Sequence, residues 1–324
     1  MPSPVSHDSI AVAEPVSPVP LPGRLARFRS SDLWYSFTRK RSAMFAAFAL
    51  IFLIVTAFSA PLIAPQNTYD PSQLTLLNSE IPPIWEDGGQ MPFLLGTDTQ
   101  GRDMLSAILY GSRVSIVIGI ASVILSLGIG LSLGLTAGYF GGFVDNILMR
   151  FGDVLLSIPT ILIAILVSAV AMQALPPELR EVGAGAVLVL AITLSGWVQY
   201  ARIVRAQTIV ERRKEYVQAA RLLKVPARRI MVNHILPNTL TPIMVAATLN
   251  FGMAILTEAT LSFLGIGMPP SQPSLGTLIR FGNQFLFSGV WWVVVFPVVQ
   301  LCLLVVSVNV LGDWLRDALN PKLR

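Results

Sequence analysis

Residues 211–238 read ERRKEYVQAARLLKVPARRIMVNHILPN, from Glu211 to Asn238. This is the most charged stretch of a mostly apolar chain, and it separates two long apolar runs, so its reading decides the arrangement of the rest. Helix formers fill Glu215–Leu223. Tyr216, Ala219, Ala220 and Leu223 recur at spacings of three and four, which predicts one apolar face, with Glu215, Gln218 and Arg221 turned away from it. Val225-Pro226 ends that helix, and Pro226 suits the start of a second one over Ala227–Leu236, up to Pro237. Two short helices joined by a tight turn are either a basic loop resting on lipid headgroups or a docking surface for a soluble partner.

The rest of the composition requires a membrane. Of 324 residues, 53% are hydrophobic and 13% charged, and the mean hydropathy is +0.66. Soluble domains carry about 25% charged residues, so there is too little charge here to cover a water-facing surface. The apolar runs are continuous rather than alternating, which predicts helices and not a barrel. A helix needs about 20 apolar residues to cross the hydrocarbon core, and six segments meet that length: Ala43–Ala64, Ser115–Ala137, Ile147–Ala171, Gly183–Ala201, Leu240–Leu264 and Trp291–Leu311. In the second, Ser122, Ser126, Gly130 and Gly134 recur every four residues, a small-residue stripe that lets a neighbouring helix approach closely. The first apolar run starts near Ala43, too late for a signal peptide, and residues 1–30, rich in Pro, Ser and Val, read as a disordered tail.

Lys and Arg give the orientation. Of the 23 basic residues, all but Arg102, Arg113, Arg180 and Arg280 fall before the first span, at Arg150, between spans four and five, or after the sixth. Both termini and the opening stretch are therefore expected on the cytoplasmic side. The same distribution accounts for a net charge of +5 without nucleic acid as partner. The loop 65–111 is then external, acidic, and long enough to be functional or partly structured.

Chemistry-bearing motifs are sparse. The sequence holds no G-x-x-x-x-G-K-[ST] phosphate loop, no C-x-x-C or H-x-x-x-H metal spacing and no G-x-S-x-G elbow. Cys302 is the single cysteine, and His7 and His234 are too far apart in sequence for a metal cluster. No metal site, bound cofactor or catalytic residue is expected. Glu258 is the one ionisable residue deep in a span. At 1.5 Å per residue it lies roughly 27 Å along its helix, near the outer surface, where a carboxylate pairs or caps locally or contacts a substrate.

At the opening stretch the chain resembles the inner-membrane permeases of bacterial ABC importers. Their cytoplasmic loop carries E-A-A, three residues, Gly, nine residues, Ile, one residue, Leu-Pro. Here Ala219-Ala220, Lys224, His234, Leu236 and Pro237 keep that spacing, with Gln218 for Glu, Lys224 for Gly and His234 for Ile. The branch that imports dipeptides, oligopeptides and nickel often reads E-Y-V-x-A-A-R and H-I-L-P-N, found here at Glu215–Arg221 and His234–Asn238. LGTDTQGRD (Leu95–Asp103), AGYFGGFVDNILMR (Ala137–Arg150), EATLSFLGIG (Glu258–Gly267) and LGDWLRDALNPKLR (Leu311–Arg324) are similar to its C-type subunit.

The resemblance implies an all-α type I importer permease of six transmembrane helices in a bacterial inner membrane, surrounded by lipid. It would be a non-catalytic subunit, paired with a B-type permease. Two ATPase subunits would use the ATP, and an external solute-binding protein would deliver a peptide or similar solute. The implied organisation is a cytoplasmic tail at 1–42, a first span at 43–64, an external loop at 65–111, a core of five spans at 112–312 with a coupling helix in 211–237, and a cytoplasmic end at 313–324. Glu215, Tyr216, Gln218, Ala219, Ala220, Arg221, Leu223, Lys224, His234, Leu236 and Pro237 would form the ATPase-coupling surface. Lys224 stands where a Gly permits a left-handed turn: either the turn here is not left-handed, Pro226 setting it instead, or Lys bears about 1 kcal/mol of strain. The competing classes are an ion-coupled secondary transporter using Glu258 and a membrane scaffold without transport.

Overall fold

A computed structural model describes residues 32–319; the expected disordered tail at 1–30 lies outside the described residues. The regular structure of the described residues is helical, apart from one isolated bridge between Thr97 and Asp103. In order, the helices are α1 (Asp32–Arg39), α2 (Arg41–Phe58), α3 (Ala60–Ile63), α4 (Met104–Phe140), α5 (Gly142–Ser157), α6 (Thr160–Ala174) and α7 (Pro177–Glu211). They continue with α8 (Glu215–Leu222), α9 (Ala227–Ile230), α10 (Leu236–Phe263), α11 (Leu275–Phe285) and α12 (Trp292–Leu319). The helices α2, α4, α7, the joined run Ala227–Phe263 and α12 are long and apolar enough to cross a membrane.

The third expected span, Ile147–Ala171, is a broken one: α5 and α6 meet at a 93° bend. Pro159 causes the break. It forces Ile158 out of the helical region, to φ −100 and ψ 133, and α6 restarts at Thr160. Counted as one bent span, α5 and α6 complete six.

α4 and α7 extend ten residues or more beyond one end of their apolar windows. α4 starts at Met104 rather than near Ser115, because Asp103 caps it, accepting the Ser106 backbone N–H at 2.8 Å. The loop expected at 65–111 therefore ends at Asp103 instead of Gly111. It is structured: Thr97 and Asp103 are fully buried, and the Trp292 indole donates to the Thr97 carbonyl at 3.0 Å. α7 continues ten residues beyond Ala201 to Glu211, which places Arg202 and Arg205 on a helix, where Arg205 grips the Asp145 carboxylate of α5 with two nitrogens.

The small-residue stripe of α4 faces α7. A Cβ on Gly130 would stand 2.4 Å from the Tyr200 Cβ, and one on Gly134 would stand 2.6 Å from the Ala201 carbonyl oxygen. Backbones this close exclude any side chain at these positions. Ser126 Oγ donates across the same seam to the Thr193 carbonyl at 3.4 Å.

Two apolar clusters hold the ends of the bundle. One gathers Met104, Ile116, Ile255, Leu275 and Leu304 from α4, α10, α11 and α12, beside the segment that precedes α4. The other gathers Leu135, Val204, Val217, Ala220, Ile230, Ile235 and Ile243 at the opposite end, under α8.

Candidate functional site: the α8 turn and its anchors

An isolated helix shorter than about 12 residues is marginal in water, so the eight residues of α8 depend on what holds them. Val217 is fully buried and Ala220 is 6% exposed; these two are the inward face. The expected apolar face of Tyr216, Ala219, Ala220 and Leu223 is thus divided, with Ala220 inside and the others outside. Burying one aliphatic side chain of this size stabilises by about 1.5–3 kcal/mol, which makes Val217 the main packing anchor. Leu222 and Leu223 point away from the bundle, 85% and 78% exposed. Glu215, Gln218, Ala219 and Arg221 are also exposed. Gln218 Nε2 donates back to the Arg213 carbonyl at 2.9 Å, and the Arg221 guanidinium lies 4.8 Å above the Tyr139 ring at the end of α4.

The turn after α8 is left-handed, with Lys224 at φ 55. The Val225 N–H donates to the Ala220 carbonyl at 3.1 Å and the Lys224 N–H to the Arg221 carbonyl at 2.9 Å. This pair of bonds is a Schellman cap, and Val225 packs on the same apolar cluster as Ala220. Pro226 follows and cannot continue the helix. The cap therefore sets the turn, and Lys carries the strain that a Gly would avoid.

The second short helix does not stop at Pro237. α9 passes through a π-helical turn, Met231–Ile235, directly into α10. The Leu236 N–H reaches back five residues to the Met231 carbonyl. The wider turn makes room for the proline ring and tolerates its missing N–H. The stretch that follows α8 thus runs into α10 without a break in the helix. His234 and Leu236 are half-buried along this run, and Pro237 is exposed.

A polar knot ties the two anchors together. The Tyr216 hydroxyl donates to Glu211 Oε2 at 2.5 Å, Lys214 Nζ donates to Glu211 Oε1 at 2.6 Å, and Asn238 Nδ2 donates to the Tyr216 hydroxyl at 3.1 Å and to the His234 carbonyl at 2.7 Å. Burial, then the bond to the Glu211 carboxylate, pushes the Tyr216 phenol up to about 12, so it stays a neutral donor. Arg212 caps α4, donating to the Tyr139 carbonyl at 2.6 Å. The ends of α4 and α7, the helix α8 and the start of α10 therefore form one rigid block.

The description "binding-protein-dependent transport system inner membrane component" matches residues 130–324. The chain belongs to this family. An "N-terminal TM domain of oligopeptide transport permease C" also matches residues 29–83. The chain is 37% identical to the di/tripeptide transport system permease protein DppC of Pseudomonas aeruginosa over 90% of its own length and 92% of that relative. It is 40% identical to the dipeptide transport system permease protein DppC of Escherichia coli K12, covering 90% and 93%, and 36% identical to the oligopeptide transport system permease protein OppC of Bacillus subtilis, covering 91% and 92%. As a member of an inner-membrane transport family, the chain is a permease component.

Glu258 lies elsewhere. It is fully buried, and its two oxygens accept from Ser115 Oγ and Ser262 Oγ, each at 2.7 Å. Ser115 Oγ in turn accepts the Leu275 N–H at 3.4 Å. The carboxyl thus joins α4, α10 and the start of α11 and has no solvent-facing edge.

Glu211, Val217, Leu222 and Asn238 take part in this block although periodicity did not single them out. Val217 and Ala220 share a three-residue spacing, and Glu211 and Lys214 share another; these are the signals that were present.

Proposed function

We propose that this permease component is the C-type subunit of an ATP-driven importer of short peptides. Its relatives' names carry the substrate class, and α8 carries the coupling. In this reading α8 is the element that an ATPase subunit grips. Leu222 and Leu223, with Ala219 beside them, enter an apolar groove on the ATPase, and the surrounding Arg213, Arg221 and Lys224 face acidic groups at its rim. The observation that carries the reading is the exposed Leu222–Leu223 pair on a helix fixed at both ends. A short helix transmits displacement only if it cannot swing independently, and the Glu211–Tyr216–Asn238 knot removes that freedom.

The remaining assignments follow the same logic. The basic end of the bundle lies in the cytoplasm, and segment 65–103 faces an external binding protein. A second, B-type permease completes the path, two ATPase subunits hydrolyse the ATP, and this chain takes no part in that chemistry. The ion-coupled alternative loses its one candidate, because Glu258 is sealed between helices.

The test is the double substitution Leu222→Asp with Leu223→Asp. Membrane insertion and pairing with the second permease are expected to persist, while co-purification of the ATPases and ATP-driven peptide uptake are lost. Uptake at the unsubstituted rate would reject the docking role.

A further inference from the structure

Midway along α4, α7 and α10 lies a cavity of about 120 Å³. Its polar lining includes Ser122 of α4, Ser195, Gln199 and Tyr200 of α7, and Asn250 and Thr257 of α10, and none of the residues that line it carries a charge at neutral pH. The hydroxyls are partly committed: Ser195 Oγ donates to the Ile192 carbonyl at 3.0 Å and Thr257 Oγ1 to the Met253 carbonyl at 2.8 Å, and each oxygen can still accept. Tyr200 and Asn250 line the same cavity from facing helices, α7 and α10. Gln199 is exposed, and its amide can both donate and accept. The nearby carboxylate, Glu258, does not line the cavity; it is fully buried and occupied by two serines.

We infer that Gln199, Tyr200 and Asn250 form a wall of the translocation path that binds the backbone amides of a passing peptide and is indifferent to the charge of its side chains. The inference rests on the importer reading above and names what that path recognises. A peptide bond offers one N–H and one C=O, and a primary amide or a hydroxyl answers either. Such neutral bonds are weak enough to exchange as the chain moves. A charged wall at the same depth, where water is scarce, would hold peptides of one sign and repel the other. This chain places its carboxylate out of reach and lines the cavity with amides and hydroxyls instead.

The experiment uses the complete importer in proteoliposomes, both permeases, both ATPases and saturating binding protein, with trialanine, Ala-Lys-Ala and Ala-Glu-Ala as probes. Uptake per ATP by the unsubstituted assembly is expected to agree within about threefold among the three peptides, and Asn250→Asp to raise the ratio of Ala-Lys-Ala to Ala-Glu-Ala about tenfold. Gln199→Glu, on an exposed side chain, gives the same readout should the Asn250 variant fail to assemble. Gln199→Leu should lower uptake of all three alike. An unchanged ratio in an acidic variant that still transports, or strong charge preference in the unsubstituted assembly, would overturn the inference. Absence of any ATP-driven uptake would remove the importer reading as well, and differs in being independent of the peptide chosen.

Discussion

The Tyr216 hydroxyl donates to Glu211 Oε2 at 2.5 Å, across the turn that separates α7 from α8. One end of the bond is the last residue of a long spanning helix and the other is in the first turn of the exposed short one. Any displacement of α8 therefore reaches α7 without slack. Tyr216→Phe deletes this bond and the one from Asn238 while leaving Lys214 on Glu211. Peptide uptake per ATP is expected to fall several-fold, with ATPase binding retained; a hydrogen bond to a charged group contributes about 1.5–3 kcal/mol. Simultaneous assays of uptake and hydrolysis in proteoliposomes separate loss of coupling from loss of docking.

Lys224 holds φ 55 inside a Schellman cap. Lys224→Gly relieves that strain and should stabilise the cap by about 1 kcal/mol, whereas Lys224→Val should weaken it further. Limited proteolysis between α8 and α9 reads the difference, with slower cleavage expected for the Gly variant.

Gly134 touches the α7 backbone, while a Cβ on Gly128 would meet nothing within 4 Å. Gly134→Ala should cost about 1–3 kcal/mol through overpacking, and Gly128→Ala should be neutral. Thermal midpoints of the purified protein in detergent compare the two directly.

Glu258 satisfies two serine hydroxyls in a site without solvent. Glu258→Gln keeps the shape and a hydrogen-bonding group at each position, so near-normal stability and uptake are expected. Glu258→Ala leaves Ser115 and Ser262 without their acceptor and should cost about 1–3 kcal/mol. The same thermal measurement distinguishes the pair; loss of uptake in a stable Gln variant would point to a transport role for the carboxyl.

Asp98 and Asp103 give the segment before α4 a pH dependence. Desolvation, the largest cause in each, raises both carboxyls above their ordinary value, against the opposing bonds from the Arg102 backbone and from Ser106. A carboxyl raised on folding binds more protons in the folded state across that window, so its contribution is complete below the ordinary value of 3.8 and declines as pH rises through the raised one. Hydrogen-exchange protection of residues 95–103, corrected for intrinsic rates, should be greater at pH 4 than at pH 7.

The spans were legible because apolar run length is a property of the sequence alone; α4 and α7 contain the runs that announce them, α10 and α12 each miss one terminal residue of theirs, and the first run, Ala43–Ala64, is divided at Ser59 between α2 and α3. Their ends were not, because caps and not hydropathy set them. Asp103 starts α4 eleven residues early, and α7 keeps its helix through Arg202 and Arg205 because Asp145 and Asp153 of α5 meet those charges. The bend at Ile158-Pro159 was visible as a proline but hidden inside a hydrophobic average. Around α8 the helix, its turn and its spacing could be read, and the inward register could not: Val217 and Tyr216 are adjacent, and only the packing of Ile230 and Ile235 beneath the helix selects Val217. Glu211 and Asn238 stand at the two ends of the opening stretch, and the fold alone brings them together.

In the proposed importer the outward tip of α8 sits in an ATPase. Cross-linking tests it most directly. With Leu223→Cys in a Cys302→Ser background, a short bifunctional maleimide applied to the assembled importer should join this chain to an ATPase subunit carrying an introduced cysteine in its apolar groove. Efficient formation of that adduct is the predicted result. A Leu223→Cys chain that stays unlinked in an importer still driving ATP-dependent uptake would contradict the claim.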